Sequence, residues 1–276
     1  MRIRTTSTQR TYRYVRLALV AATVFLGIAL AVESVAGGVP PSVSAAYYTP
    51  AGPVFVGSLS AVALALLALS GRSLEQGLLD VAAVLALVIA YVPTSVSSES
   101  CAPARRCIPA EFGPTVANNA GAVASLVVLG VVAALVLARA QGTLGAGVVA
   151  TAGVVAATIV AGFVWAVTAP ASFSALAHEV AAIAFFVVIA AVAALGAWRP
   201  QRSGRAHRRL RLAYGVVAIG IVATLVLLVV GVIAGAEQRG VPVVLIGEVV
   251  ALALFAVFWV VQTVELWNEV DPRLRT

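Results

Sequence analysis

An imidazole and a carboxylate stand side by side at Ala177-His178-Glu179, inside a run that otherwise suits lipid. Ionisable groups at membrane depth are costly, so they face a bundle interior or a wet cavity and mark function. A second carboxylate, Glu248, lies about seven residues, or roughly 10 Å, below the start of the last apolar run. A carboxylate at that depth needs a partner, and His178 is the economical one. The pair could perform general acid–base chemistry or grip a lipid head group. The plainer alternative is a buried histidine bonded to a hydroxyl or carbonyl, holding helices in register. Adjacent helical residues point about 100° apart, so His178 and Glu179 need not touch each other. His178 shares its face instead with Ala181, Ala182 and Phe185.

Glu33, Asn118 and Asn119 fall at a similar depth on other apolar runs, and Gln262 lies deeper on nearly the Glu248 stripe. The expected site is therefore a polar pocket opening outward, built from Glu33, Tyr47, Tyr48, Asn118, Asn119, His178, Glu179 and Glu248. A Tyr47-Tyr48 loop and a disulfide loop would roof it. On the inner side only Asp80 is expected, as a solvated carboxylate in a first helical turn. The two histidines, His178 and His207, are too few for a three-histidine zinc site or a haem pair. The chain has no phosphate loop, no Gly-x-Ser-x-Gly elbow and no paired Asp motif within a run. No metal and no cofactor is expected.

Cys101 and Cys107 frame Ala-Pro-Ala-Arg-Arg in the longest polar loop, 94–115. Outside the membrane thiols oxidise, and a loop this small can close, so a structural disulfide is expected. The spacing is not that of a Cys-x-x-Cys redox pair.

The elements that must carry these groups follow from the apolar runs. The chain is 62% hydrophobic and 11% charged, far from the one-quarter charged typical of soluble domains. Eight spans are expected: 17–36, 53–70, 78–92, 116–137, 146–168, 173–198, 212–235 and 242–266. The third is short for a hydrocarbon core. The fold class is thus an all-α polytopic transmembrane bundle, with residues 17–266 as one domain. A basic N-terminus (1–16), an arginine-rich linker (199–211) and a tail (267–276) complete the chain.

All 18 basic residues are arginine, and the net charge is +7. With eight spans, fifteen arginines fall on the side of the termini and three on the other. The positive-inside rule then puts both termini in the cytoplasm. Arginines beside apolar runs meet anionic lipid, so nucleic acid is not expected as a partner. Trp198, Tyr214 and Trp267 would lie at the inner interface, and Tyr91 and Trp165 near the outer one.

Tyr47-Tyr48-Thr49-Pro50, Phe55-Val56-Gly57 and Val92-Pro93-Thr94, in that order, resemble a group of multi-pass bacterial membrane proteins of actinobacterial type. His178, Ala182, Phe185 and Phe186 match that group's His-x-x-x-Ala helix with paired Phe. Glu248, Phe258 and Trp259 match its last span. The departure is Ala51-Gly52-Pro53, where the group commonly has an arginine. The His-containing helix is also similar to eukaryotic membrane proteins of the autophagy-modulator and lipid-remodelling kind. The resemblance implies a fold and no reaction.

Three functions remain open. The first is a protein of the bacterial plasma membrane that binds a lipid head group, a membrane partner or a second copy of itself. The second is a lipid-modifying enzyme with His178 and Glu248 as acid–base pair. The third is a transporter, disfavoured by the expected lack of inner-side charge.

Overall fold

The computed structural model describes residues 7–69, 71, 73–97, 101, 106–198 and 205–267, without the side chains of 205–207. The expectations for 1–6, for the linker at 199–204 and for the tail beyond 267 lie outside these residues. Eight helices follow in chain order: α1 (Ser7–Ala36), α2 (Gly52–Ala68), α3 (Leu74–Tyr91), α4 (Gly113–Ala140), α5 (Ala146–Thr168), α6 (Pro170–Trp198), α7 (Arg205–Ile233) and α8 (Val243–Glu265). Among the described residues there is no strand, only an isolated pairing of Val96 with Cys107.

Seven of the helices are long and apolar enough to cross a membrane. The eighth, α2, is equally apolar but has 17 residues, about 25 Å at the helical rise. Large apolar side chains such as Phe163, Ile219 and Leu227 remain exposed on α5 and α7. Water would penalise such a surface and lipid does not. The molecule is a multi-pass membrane bundle.

Local chemistry explains several helix starts. Pro53 and Pro114 sit in the first turns of α2 and α4, where a missing N–H costs nothing. A capping box opens α3: Ser73 Oγ accepts from the Gln76 N–H and Gln76 Oε1 accepts from the Ser73 N–H. It starts α3 at Leu74 rather than 78, so this helix has 18 residues and is not unusually short. The left-handed φ of +82° at Gly240 turns the chain from α7 into α8.

Contacts run from α1 to α2, α3, α6, α7 and α8, and α8 returns to α1, closing a six-helix ring. The α4–α5 hairpin lies outside this ring against α3 and α6. Inside, Phe55, Leu66, Ile189, Phe255, Phe258 and Trp259 are sealed from solvent. Phe185 meets Phe255 at 5.6 Å between ring centres, and Phe255 meets Trp259 at 6.1 Å. This layer separates two polar ends of the bundle.

The N-terminus of α1 is at one end with the C-terminus of α8. Arg13 ties them, donating from Nε to the Trp267 carbonyl at 2.6 Å and covering the Trp267 ring at 4.6 Å. The expectation that this end holds only Asp80 is overturned. α1 begins at Ser7, not 17, and carries Gln9, Tyr12 and Arg16 into the packed interior. Gln262 donates to Glu75 at 3.1 Å, and Tyr214 donates to Glu265 at 2.6 Å. Tyr214 is buried in the bundle. Asp80 stands in the second turn of α3 with one carboxylate oxygen sealed from solvent, so it is not the solvated first-turn acid expected.

Candidate functional site

The opposite end of the bundle collects the residues singled out above. Between α1 and α2 the chain dips inward, and the short turn Ser44–Tyr48 buries Val43, Ser44, Ala45 and Ala46. Ser42 Oγ accepts from the Ala45 N–H at 3.0 Å and starts that turn. Its other exposed donors are met by α8: Glu248 Oε2 accepts from the N–H of Val43 at 2.5 Å and of Ser44 at 3.4 Å. Glu248 Oε1 lies 2.6 Å from Ser44 Oγ.

Ser44 Oγ is also 2.8 Å from His178 Nε2. His178 Nδ1 donates to the Val92 carbonyl at 2.7 Å. Val92 caps α3, and the last carbonyls of a helix lack intrahelical partners. Four segments are thus joined in one line, from α8 through the turn and α6 to the end of α3. The direct pair of His178 and Glu248 expected from sequence is not formed; the hydroxyl of Ser44 bridges them. Ser44 is the member that sequence reading missed. His178 is 3% exposed and Ser44 7%.

Hydrogens can be counted along this line. A carbonyl only accepts, so Nδ1 carries a hydrogen. The two remaining bonds, Nε2 to Oγ and Oγ to Oε1, need two hydrogens, and Ser44 supplies one. The line is complete with one further proton. It sits on Glu248 with a neutral imidazole, or on His178 beside a carboxylate.

Beside this line, Thr94 Oγ1 donates to Glu179 Oε1 at 2.7 Å, and Tyr48 donates to the Thr94 carbonyl at 2.9 Å. Glu179 Oε2 is sealed from solvent without a hydrogen-bond partner. Asn119 hydrogen-bonds Tyr47. Burial raises both phenols above the ordinary tyrosine value, an effect partly offset at Tyr47 by Asn119 and reinforced at Tyr48 by Tyr47, Glu179 and Glu111. Phe112 packs edge-on against both rings, at 6.1 Å from Tyr47 and 4.9 Å from Tyr48. Two expected members stand apart. Asn118 points to the exposed surface. Glu33 lies back over Gly37, beyond the end of its own helix.

The disulfide between Cys101 and Cys107 is formed. Val96 and Cys107 exchange backbone hydrogen bonds at 2.9 and 3.0 Å. Arg106 donates from Nε and an Nη to the Ser95 carbonyl, and Ser95 Oγ donates to the Ala175 carbonyl. The loop is therefore stitched to α6 close to His178.

Open space is found beside the Ser44–Tyr48 turn, at Tyr47. A cleft of about 570 Å³ is lined by Tyr47, Pro53, Val56, Gly57, Tyr91 and Phe112, with Gly52, Ser60 and Thr115. Ser60 Oγ donates to the Tyr91 hydroxyl at 3.1 Å. Of the expected pocket residues only Tyr47 lines it; His178 is buried and neither it nor Glu248 belongs to the lining. Gly52 lets the turn lie this close, because a Cβ there would be 2.5 Å from the Tyr47 carbonyl oxygen. The cleft is a wall of apolar surface and hydroxyls without a charged group.

Fold and site together define a polytopic α-helical membrane protein with a buried hydrogen-bonded line behind an open cleft at one end. Comparison with protein families, curated proteins and solved structures finds no match to this chain.

Proposed function

We propose that this is an eight-span protein of a bacterial plasma membrane, with both termini cytoplasmic, whose outer end binds a lipid through an uncharged, hydroxyl-bearing head. The cleft at Tyr47, Tyr91 and Phe112 carries this reading. Its apolar wall suits an acyl chain, and the hydroxyls of Ser60, Tyr91 and Thr115 suit a head rich in donors and acceptors. The lining holds no cation, and Arg106 of the disulfide loop is taken up by the Ser95 carbonyl. A phosphate head would find no counter-charge there.

The bilayer assignment rests on the seven apolar helices, on the 17-residue α2 as an eighth span, and on the arginine bias. The resemblance of Tyr47–Pro50 and the His178 helix to actinobacterial multi-pass proteins supports the bacterial setting. A photoactivatable diacylglycerol or glycosyl-diacylglycerol tests the reading. Crosslinked peptides should cluster at α2 residues 53–60 and at 110–115. Crosslinks spread evenly over the lipid-facing helices would reject it.

A second reading has its own observation. Ser44 Oγ at 2.8 Å from His178 Nε2, with Nδ1 fixed by a carbonyl, has the form of a serine nucleophile and its base. It ranks second because both residues are buried and neither lines the cleft. Labelling of Ser44 by a fluorophosphonate, read by intact mass, would promote it. Transport ranks third. Inner-side polar groups do exist, contrary to expectation, but the sealed layer of Phe255, Phe258 and Trp259 lies between the two ends.

A further inference from the structure

We infer that Glu248, Ser44 and His178 form a one-proton latch on the Ser44–Tyr48 turn, and that the latch controls whether the Tyr47 wall of the cleft is held in place. Its effect on ligand rests on the cleft being a binding site; its existence does not. The line is fully hydrogen-bonded at one level of protonation. With one proton beyond those of Ser44 Oγ and His178 Nδ1, every bond in the line is made.

Removal of that proton leaves a neutral imidazole and a carboxylate competing for one serine hydrogen. One of the two acceptors then faces a lone pair. Addition of a second proton makes His178 an imidazolium beside a carboxylic acid. Nε2–H then donates to Ser44, and Ser44 donates to Glu248. The acid hydrogen must turn either against Ser44's hydrogen or against the Val43 N–H. Gain and loss each break one bond in a sealed site, where an unmet polar group costs most.

Beyond the packing of its buried residues, the contact of Phe112 with both rings and the hydrogen bond between Asn119 and Tyr47, few polar ties hold the turn. Glu248 takes the N–H of both Val43 and Ser44, and Tyr48 is tied once, to the Thr94 carbonyl. Release at Ser44 therefore reaches Tyr47, three residues on, which is a wall of the cleft.

The other titratable groups at this end are Glu179 on α6, Tyr47 and Tyr48 on the turn, Tyr91 on α3, Glu111 and Arg106 in the outer loop, and Glu33 on α1. Glu237 and Arg239 precede α8, and Glu237 accepts from the Val244 N–H. Helix α2, which bears most of the cleft, carries no ionisable side chain. Burial raises Tyr47 and Tyr48 above the ordinary tyrosine value, so these two stay neutral below about pH 8.

The test is a pH titration of the turn in lipid nanodiscs, from pH 4 to 8. A trifluoromethyl label is fixed beforehand on a Pro50→Cys protein, Pro50 being exposed, and read by fluorine NMR. The held population should be largest at an intermediate pH and fall on both sides. Glu248→Gln is the diagnostic variant. Its amide donates to Ser44 without a titratable proton, so the alkaline fall should vanish while the acid fall remains. Ser44→Ala, should Glu248→Gln not fold, should raise the released population about tenfold at the optimum. A flat profile in the unmodified line, or an unchanged alkaline limb in Glu248→Gln, overturns the latch. Lipid retained at the optimum is measured in parallel. A titrating turn without lipid keeps the latch and rejects the cleft, whereas lipid with a flat profile does the reverse.

Discussion

Ser44 Oγ stands 2.8 Å from His178 Nε2, although 134 residues separate the two in sequence. Their meeting fixes an inter-helix loop to the wall of a membrane bundle. The same hydroxyl reaches Glu248, so a serine in a charge-free loop joins two of the most costly side chains at this end of the bundle.

The line should behave as a unit in unfolding experiments. Glu248→Leu alone strands the Val43 N–H and takes one of the two partners of the Ser44 hydroxyl, and a loss of about 1–3 kcal/mol is expected. The same holds for His178→Leu, which strands the Val92 carbonyl. Ser44→Ala, His178→Leu and Glu248→Leu combined should cost clearly less than the sum of the three. Strict additivity in a thermal or denaturant cycle would show that the residues are not coupled.

Gly52 and Gly57 make a matched pair. A methyl group at Gly52 would stand 2.5 Å from the Tyr47 carbonyl, whereas at Gly57 it meets nothing within 4 Å. Gly52→Ala should therefore destabilise by about 1–3 kcal/mol, and Gly57→Ala by less than roughly 0.5 kcal/mol. Equal melting temperatures for the two variants would place the turn further from α2.

Tyr48 predicts an alkaline limit. Burial raises its phenol above the ordinary value, and the hydroxyl donates to Thr94. For a group raised on folding, the stabilising effect is full below its unfolded pKa and declines as pH rises above it. The protein should hold its stability up to about the ordinary tyrosine range near pH 10 and lose it beyond. Tyr48→Phe should flatten that decline while costing about 1 kcal/mol at neutral pH. An identical alkaline decline in Tyr48→Phe would assign it to other groups, Tyr47 first among them.

The disulfide is a direct reporter of sidedness. In intact cells Cys101 and Cys107 should resist a membrane-impermeant maleimide and become labelled after an impermeant reductant. Labelling only after lysis would invert the assignment of the two ends.

Much of this architecture was legible in the chain. Apolar run length located all eight helices, and 146–168 matches α5 to the residue. His178, Glu179 and Glu248 stood out because charge is rare at that depth. Ser44 left no such mark: a serine in a Ser-Gly-Pro loop is ordinary, and only the inward dip of the turn gives it a role. The polar cluster at the opposite end was legible too. Gln9, Tyr12, Arg16, Leu19, Ala22 and Leu26 recur at helical spacing and share one buried face. Reading residues 1–16 as a basic N-terminus outside the first span hid that stripe. The pocket was expected among the charged groups, but packing closed those against one another, and the space opened beside the hydroxyls.

The measurement closest to the central claim is the lipid content of gently purified protein, read by native mass spectrometry. The unmodified chain should retain one lipid with an uncharged, hydroxyl-bearing head. Gly57→Phe should lose it, because Gly57 lines the cleft and a side chain there projects into open space. The Ser60→Ala, Tyr91→Phe variant should retain it more weakly. The same lipid at the same occupancy in Gly57→Phe, with an unchanged melting temperature, would contradict the account.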